Sequence, residues 1–136
     1  DVMRDVTHAA NTGAIEICFL GQNVNGYKYT DANGKLWRLS DLIRATAKLD
    51  AVKRIRFTSS YPTEMTDDLI EMFAIEPKLL PFLNMPIQSG SPDVLTRMNR
   101  LYSLNLYIDI VDKLRRARPD IQISSDFIVV SLRADF

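Results

Sequence analysis

The chain is short of the residues that most often build metal centres, disulfides and proton-transfer sites. Its 136 residues include one cysteine, Cys18, and one histidine, His8. A single cysteine cannot form an internal disulfide, which fits a reducing compartment. His8 falls on a predicted surface helix, so we expect a solvated side chain there and not a catalytic base. Neither residue predicts a catalytic group or a metal ligand.

An excess of one charge and long apolar runs are also missing. Lys and Arg together number 17, as do Asp and Glu, so the formal net charge is zero. No global basic field exists to attract a polyanion. No apolar run approaches the roughly 20 residues that span a bilayer, and the start lacks the apolar segment of a signal peptide. These absences favour a cytoplasmic protein without membrane contact.

What the chain does contain is an alternation of helical and extended patterns within one domain's worth of sequence. Helices are predicted at 2–10, 40–49, 66–73, from 91 and at 103–114, and strands at 15–20, 54–58, 82–85 and 121–130. Residues 25–34, with two Asn-Gly pairs, are predicted to form a loop. The alternation indicates the α/β class with a parallel sheet. Four strands are too few to close a parallel barrel of about eight, so we expect a partial one.

Small and polar residues follow each predicted strand. They form four groups, at 21–25, 58–62, 86–91 and 124–126. The carboxyl ends of parallel strands meet at one edge of the sheet, where ligands bind in α/β proteins. This edge is therefore the predicted site.

Five short blocks lie in register across nearly the whole chain. They read FLGQNVN at 19–25, RIRFTSS at 54–60, PIQSGS at 86–91, MNR at 98–100 and SDFIV at 125–129. Together they closely resemble the radical S-adenosylmethionine (radical SAM) methylthiotransferases, nearest to the tRNA-modifying MiaB branch. The resemblance implies that residues 1–136 are a single fragment of a radical SAM (β/α) barrel. The N-terminal cluster-binding part and the C-terminal RNA-binding part of the family are absent.

The resemblance also implies a reaction and its cofactors. Full-length members add a methylthio group to an adenosine of tRNA, using S-adenosylmethionine and a [4Fe-4S] cluster held by a CxxxCxxC motif. Here the ligands are absent, because Cys18 stands alone and fits a small buried hydrophobe. We expect the chain to be inactive by itself and to need a separately encoded fragment that supplies the cluster. The alternatives are a non-catalytic remnant and a nucleoside- or S-adenosylmethionine-binding module.

By resemblance, residues after the first and third strands bind S-adenosylmethionine. Gln22 and Asn23 would meet its amino and carboxylate groups. Without the resemblance, capping of the strand end would be the better explanation of that pair. Gln88, Ser89 and Ser91 would reach the ribose or the sulfonium. Ser91 is also a good helix cap, and the two roles can coexist.

Three more residues complete the predicted cofactor site. Arg100 can pair with a carboxylate through its planar fork, although solvation at the surface explains it equally well. Ser60 lines the same edge or satisfies local backbone. Asp126 interrupts an apolar run, where an unpaired carboxylate is costly to bury, and a ribose diol is its predicted partner.

The chain departs from the family pattern at three places. Asn84 and Tyr61 stand where members commonly have histidine. After residue 129 the family continues Gly-Phe-Pro-Gly-Glu, whereas residues 130–133 read Val-Ser-Leu-Arg. Loss of one G from the family's codons would produce this reading, so we predict a frameshift, which sequencing of the locus tests.

Overall fold

Helices and strands alternate along the chain as the sequence pattern predicts. The structure is a computed structural model that describes residues 2–129. In chain order, its elements are α1 (Val2–Asn11), β1 (Glu16–Phe19), β2 (Lys28–Thr30), β3 (Leu36–Arg38), α2 (Leu39–Ala47), β4 (Arg54–Phe57), α3 (Asp67–Ile75), β5 (Phe82–Asn84), α4 (Pro92–Arg97), α5 (Leu104–Ala117) and β6 (Gln122–Ser124). None of the helices within 2–129 combines the length and apolar character of a membrane span.

The parallel strands lie side by side in sequence order. β1 pairs with β4, and β5 pairs with β6, both in parallel. The chain entering β5 connects the two pairs, because Ile55 N–H donates to Lys78 O at 2.8 Å and Leu80 N–H donates to Ile55 O at 2.9 Å. Within residues 2–129, β1 and β6 are not paired with each other. The α/β class is therefore confirmed, whereas a barrel is not.

One face of the sheet is apolar and the other is charged. Ile17, Ile55 and Phe57 are buried against helices, following the alternation expected of strands with one covered face. On the opposite face, Glu16 accepts a hydrogen bond from Nε of Arg54 at 2.7 Å and forms an ion pair with Nε of Arg56 at 2.9 Å. The core therefore lies on the helical side of the sheet.

The prediction of a loop at 25–34 is wrong. Part of this region forms β2, which pairs with β3 in an antiparallel hairpin. Asp31 stabilises the turn between β2 and β3. The Asp31 carboxylate accepts from Trp37 Nε1 at 3.0 Å and from the backbone N–H groups of Asn33 at 2.9 Å and Lys35 at 3.0 Å. Strands of three residues carry too little alternation to be recognised in the sequence, so the Asn-Gly turn signals dominated the prediction.

The last predicted strand is also too long. β6 ends at Ser124, and Asp126 is exposed beyond it rather than buried within a strand. The expectation that Asp126 needs a partner inside an apolar strand is therefore wrong. The predicted frameshift, at residues 130–133, lies outside the described residues.

The predicted helix starts are confirmed at α4 and α5 but wrong at α2. Ser91 accepts a hydrogen bond from Val94 N–H at 3.5 Å, and Ser103 accepts one from Leu106 N–H at 3.1 Å. Ser40 lies inside the first turn of α2, where its hydroxyl donates to Asp68. Arg38 takes the N-cap position, two residues before the predicted start of the helix at 40, and the Ser40 side chain is buried.

We expect Lys78→Met to destabilise the fold by about 2 kcal/mol. Lys78 Nζ donates to Ala47 O at 2.6 Å and to Leu49 O at 3.0 Å, so its removal leaves two carbonyls at the end of α2 without this partner. Urea unfolding measures the change. Lys113→Met is the control, because Lys113 contributes only an exposed pair with Asp67 and should change stability by less than about 1 kcal/mol. Equal losses in both variants would contradict this role of Lys78.

We expect acid to weaken the hairpin through Asp31. The hydrogen bond from Trp37, followed by the backbone N–H of Lys35, holds the pKa of Asp31 below its usual range. The resulting stabilisation is complete above the ordinary carboxyl pKa of about 3.9 and is lost as the pH falls through the lower pKa of the folded state. Trp37 is the only tryptophan, so its emission reports this transition. Asp31→Asn should remove the transition and Asp109→Asn, on exposed α5 surface, should keep it.

Candidate functional site

A cleft of about 270 Å³ opens where the parallel strands end. Loops from all four strands line it, as expected for the carboxyl edge of a parallel sheet. The lining residues are Gln22, Ser59, Ser60, Tyr61, Asn84, Pro86, Gln88, Arg100 and Asp126. The structure thus brings together five of the eight predicted site residues, namely Gln22, Ser60, Gln88, Arg100 and Asp126.

The other three predicted residues do not line this cleft. Asn23 lies against Gly26, where an added Cβ would come within 2.7 Å of Asn23 Nδ2. Ser89 Oγ accepts from Ser91 N–H at 3.1 Å, and Ser91 Oγ caps α4. For the two serines, the structure shows local backbone roles.

The backbone around the cleft adopts a conformation that non-glycine residues rarely take. Ser59 has φ of 59° and Gln88 has φ of 72°, and both line the cleft. Asn99, next to Arg100, has φ of 55°. Hydrogen bonds hold the first two in place, since Val24 N–H donates to Ser59 O and Gln88 N–H donates to Asp126 O. Such residues cost about 1 to 3 kcal/mol each and cluster at functional sites.

Three tyrosines fix the walls of the cleft. Tyr102 donates to Ile87 O at 2.9 Å, and Tyr107 donates to Met85 O at 2.8 Å. Tyr61 stacks edge-on against Tyr102 at 5.4 Å and accepts from the backbone N–H of the residue after Arg100 at 3.3 Å. Burial raises the pKa of Tyr102, which keeps its hydroxyl protonated as a donor. Sequence reasoning missed these roles, because no local pattern shows which carbonyls a tyrosine reaches.

Asn25 joins two of the loops that form the cleft. Its Nδ2 donates to Tyr61 O and its Oδ1 accepts from Tyr61 N–H, both at 2.8 Å. The Asn25 side chain is buried, so both bonds are shielded from water. This pair fixes the chain after β1 against the chain after β4. The FLGQNVN block contains Asn25, but its sequence gives no sign of the partner.

Two buried polar atoms in the cleft lack hydrogen-bond partners within residues 2–129. They are Ser60 Oγ and Arg100 Nε. Leaving such an atom unsatisfied costs about 1 to 3 kcal/mol, so buried polar atoms in native proteins usually have a protein or water partner. Arg100 Nε is a donor, and the Ser60 hydroxyl can donate as well. Ser60, Arg100 and Asp126 all line the cleft, so a hydroxyl, a guanidinium group and an exposed carboxylate border the same space.

The residues of this chain do not fit a [4Fe-4S] cluster. Such clusters are held by several cysteine thiolates, and Cys18 is the only cysteine in the sequence. Cys18 is half-buried in β1, with its Sγ 4.0 Å from Phe19 O. Across residues 2–129, no group of three His, Cys, Asp or Glu side chains is placed to hold a metal.

We expect Asn25→Ala to lower the free energy of unfolding by about 2 to 4 kcal/mol, because two buried hydrogen bonds to Tyr61 are lost and its backbone groups are left unsatisfied. Denaturant titration measures this change. Asn33→Ala is the matched control, because the Asn33 side chain is exposed in the hairpin turn and should be nearly neutral. A similar loss in the two variants would show that the Asn25 contact does not hold the cleft together.

Comparison with known proteins identifies the family. The model of the radical SAM superfamily matches residues 1–132. The chain is 49% identical over 128 residues, 94% of its length, to a tRNA-2-methylthio-N(6)-dimethylallyladenosine synthase of Rickettsia bellii (strain OSU 85-389). Proteins of that name from Orientia tsutsugamushi (strain Ikeda) and Buchnera aphidicola subsp. Acyrthosiphon pisum (strain APS) are 50% and 51% identical over 94% and 95% of the chain. The chain spans 28 to 29% of the length of these relatives. It therefore belongs to the radical SAM superfamily, and its resemblance to the tRNA methylthiotransferases is confirmed.

Proposed function

We propose that this chain is the S-adenosylmethionine-binding part of a methylthiotransferase that modifies adenosine in tRNA. The observation that carries the proposal is one cleft at the carboxyl ends of the strands, which is lined by Gln22, Ser60, Gln88, Arg100 and Asp126. The relatives bear the name of a tRNA methylthio-transferring synthase, which supplies the reaction class.

The cleft residues match the groups of S-adenosylmethionine one by one. Arg100 and Ser60 would take the carboxylate, and the Gln22 amide oxygen would accept from the ammonium. Asp126 would accept from the ribose hydroxyls, with Gln88 beside it. Ligand pockets usually measure about 300 to 1,000 Å³, so this cleft of about 270 Å³ would hold part of S-adenosylmethionine.

The redox part of the reaction needs residues beyond this chain. Together with a reduced [4Fe-4S] cluster, S-adenosylmethionine supplies the radical chemistry of the superfamily. The cluster's thiolates would come from a separately encoded fragment or from further sequence of a longer protein. The residues of this chain would orient S-adenosylmethionine, because the fixed walls of the cleft would hold its carboxylate and ribose in one position. We place the reaction in the cytoplasm, where a single unpaired cysteine stays reduced.

A second candidate is a binding module without redox chemistry. It is favoured by one observation, namely that the cleft is built within residues 22–126 whereas the sequence has one thiol. In this case the chain would bind S-adenosylmethionine or a related nucleoside and would have no partner fragment. Neither candidate alters the assignment of Arg100 to a ligand carboxylate.

We expect the chain to bind S-adenosylhomocysteine, which has the same carboxylate and ribose and needs no cluster. Arg100→Met should weaken this binding by tenfold or more, because a charge-assisted hydrogen bond is lost. Isothermal titration calorimetry measures the affinities. Arg97→Met is the matched control, because Arg97 is exposed on α4 and does not line the cleft.

5′-Methylthioadenosine separates the carboxylate contact from general damage to the cleft. It lacks the amino acid carboxylate, so Arg100→Met should leave its affinity unchanged. Equal losses for both ligands would remove Arg100 from the carboxylate site. Absence of S-adenosylhomocysteine binding by a chain that unfolds cooperatively would overturn the proposed function.

A further inference from the structure

The β2–β3 hairpin presents two aromatic rings beside an open cavity. Tyr29 on β2 is 56% exposed, and Trp37 on β3 is half-buried. The two rings border a cavity of about 260 Å³ whose remaining lining is Met3, Asp31 and Leu42. The Tyr29 and Trp37 side chains are cross-strand neighbours, so the two rings lie on the same face of the hairpin. We call the space bordered by Tyr29 and Trp37 the aromatic slot.

A cationic groove borders the same tryptophan. Lys35, Arg44 and Lys48 line it together with Trp37, Asp41 and Ala45. Lys35 Nζ lies 4.2 Å from the centroid of the Trp37 ring. Three cations therefore face a single carboxylate, Asp41, in this groove.

The carboxylate lies deeper in the groove than its partners. Asp41 is 21% exposed, whereas Lys35 is 54% and Arg44 is 48% exposed. Their ion pairs with Asp41, at 3.6 and 3.8 Å, leave the cationic groups facing solvent. Although the chain has no net charge, this surface is locally positive. Its charge complements that of a phosphate backbone.

The hairpin also begins at the wall of the cleft. Asn25, bonded to the cleft residue Tyr61, lies three residues before β2 begins at Lys28. The hairpin and the cleft are therefore close along the chain.

From these contacts we infer that the hairpin binds a single strand of RNA, with one base in the aromatic slot and neighbouring phosphates in the groove of Lys35, Arg44 and Lys48. Proteins that bind single strands combine an aromatic stacking surface with a positive groove, and both occur here around one tryptophan. The choice of RNA rests on the proposed function, in which the substrate is tRNA. The slot would hold a nucleotide other than the one modified in the cleft.

Asp31 determines which part of a nucleotide enters the slot. Its carboxylate accepts three hydrogen bonds from the hairpin, and a carboxylate has about four acceptor sites. One site is left for a base amino group. The same negative charge repels phosphate, so the base faces Asp31 and the backbone lies toward the groove.

A six-nucleotide oligoadenylate is the probe for this inference. Binding should quench the emission of Trp37, the only tryptophan, in a saturable way. Tyr29→Ala should weaken binding about tenfold, because one stacked base is lost, and Tyr29→Phe should restore most of it. An unchanged affinity of Tyr29→Ala for oligoadenylate would contradict the binding of a base in the aromatic slot.

The salt dependence of oligoadenylate binding tests whether phosphates lie in the groove. Lys48→Ala should reduce the slope of log K against log salt concentration by about 0.7, the value for one phosphate contact on a single strand. Arg115→Ala makes the same charge change on exposed α5 and should leave the slope as it is. Equal changes of the salt slope in the two variants would contradict a phosphate contact in the groove. Tripolyphosphate carries charge but no base, so quenching of Trp37 emission equal to that by oligoadenylate would also contradict the inference.

S-Adenosylhomocysteine binding, measured on the same variants, separates this inference from the proposed function. Tyr29→Ala should lose oligoadenylate binding and keep S-adenosylhomocysteine binding, which supports the hairpin contact. A wild-type chain that binds S-adenosylhomocysteine but not oligoadenylate overturns only the hairpin contact. A chain that binds oligoadenylate but not S-adenosylhomocysteine overturns only the proposed function.

Discussion

The backbone pairing of β4 on both of its edges is the constraint on which the rest of the structure depends. β4 pairs with β1 on one side and with residues 78–80 on the other, and Ile55 at its centre is fully buried. Because these pairings are parallel, the chain leaves each strand at the same edge. The polar residues after β4 are thereby held between the loops that follow β1 and β5, and a cleft forms among them.

Several groups around the cleft lower the local stability of the fold. Ser59 and Gln88 adopt left-handed backbone conformations, and Ser60 and Arg100 keep buried polar atoms that residues 2–129 do not satisfy. These costs persist because buried contacts from Asn25, Tyr102 and Tyr107 fix the surrounding loops.

Binding and redox chemistry are separable in this chain. All residues that line the cleft lie between 22 and 126, so the nucleoside site that we propose there needs only the α/β scaffold. A [4Fe-4S] cluster needs several cysteine thiolates, whereas the sequence contains one cysteine, Cys18. On the hairpin, Asp31 holds the Trp37 ring by a hydrogen bond, and Asp41 pairs with Lys35 and Arg44.

The sequence by itself determined the α/β class, the presence of parallel strands and the edge at which polar residues gather. It could do so because apolar runs of strand length alternate with helix-start signals, and because parallel strands end on one side. The motif blocks also identified the family. Only the tertiary structure decided that Gln22, Ser60, Gln88, Arg100 and Asp126 share a cleft while Asn23, Ser89 and Ser91 do not line it. Those differences depend on side-chain direction and on contacts across tens of residues, such as Asn25 with Tyr61 and Tyr102 with Ile87. The hairpin likewise required the fold, since strands of three residues are specified by their pairing and by Asp31 rather than by hydrophobic alternation.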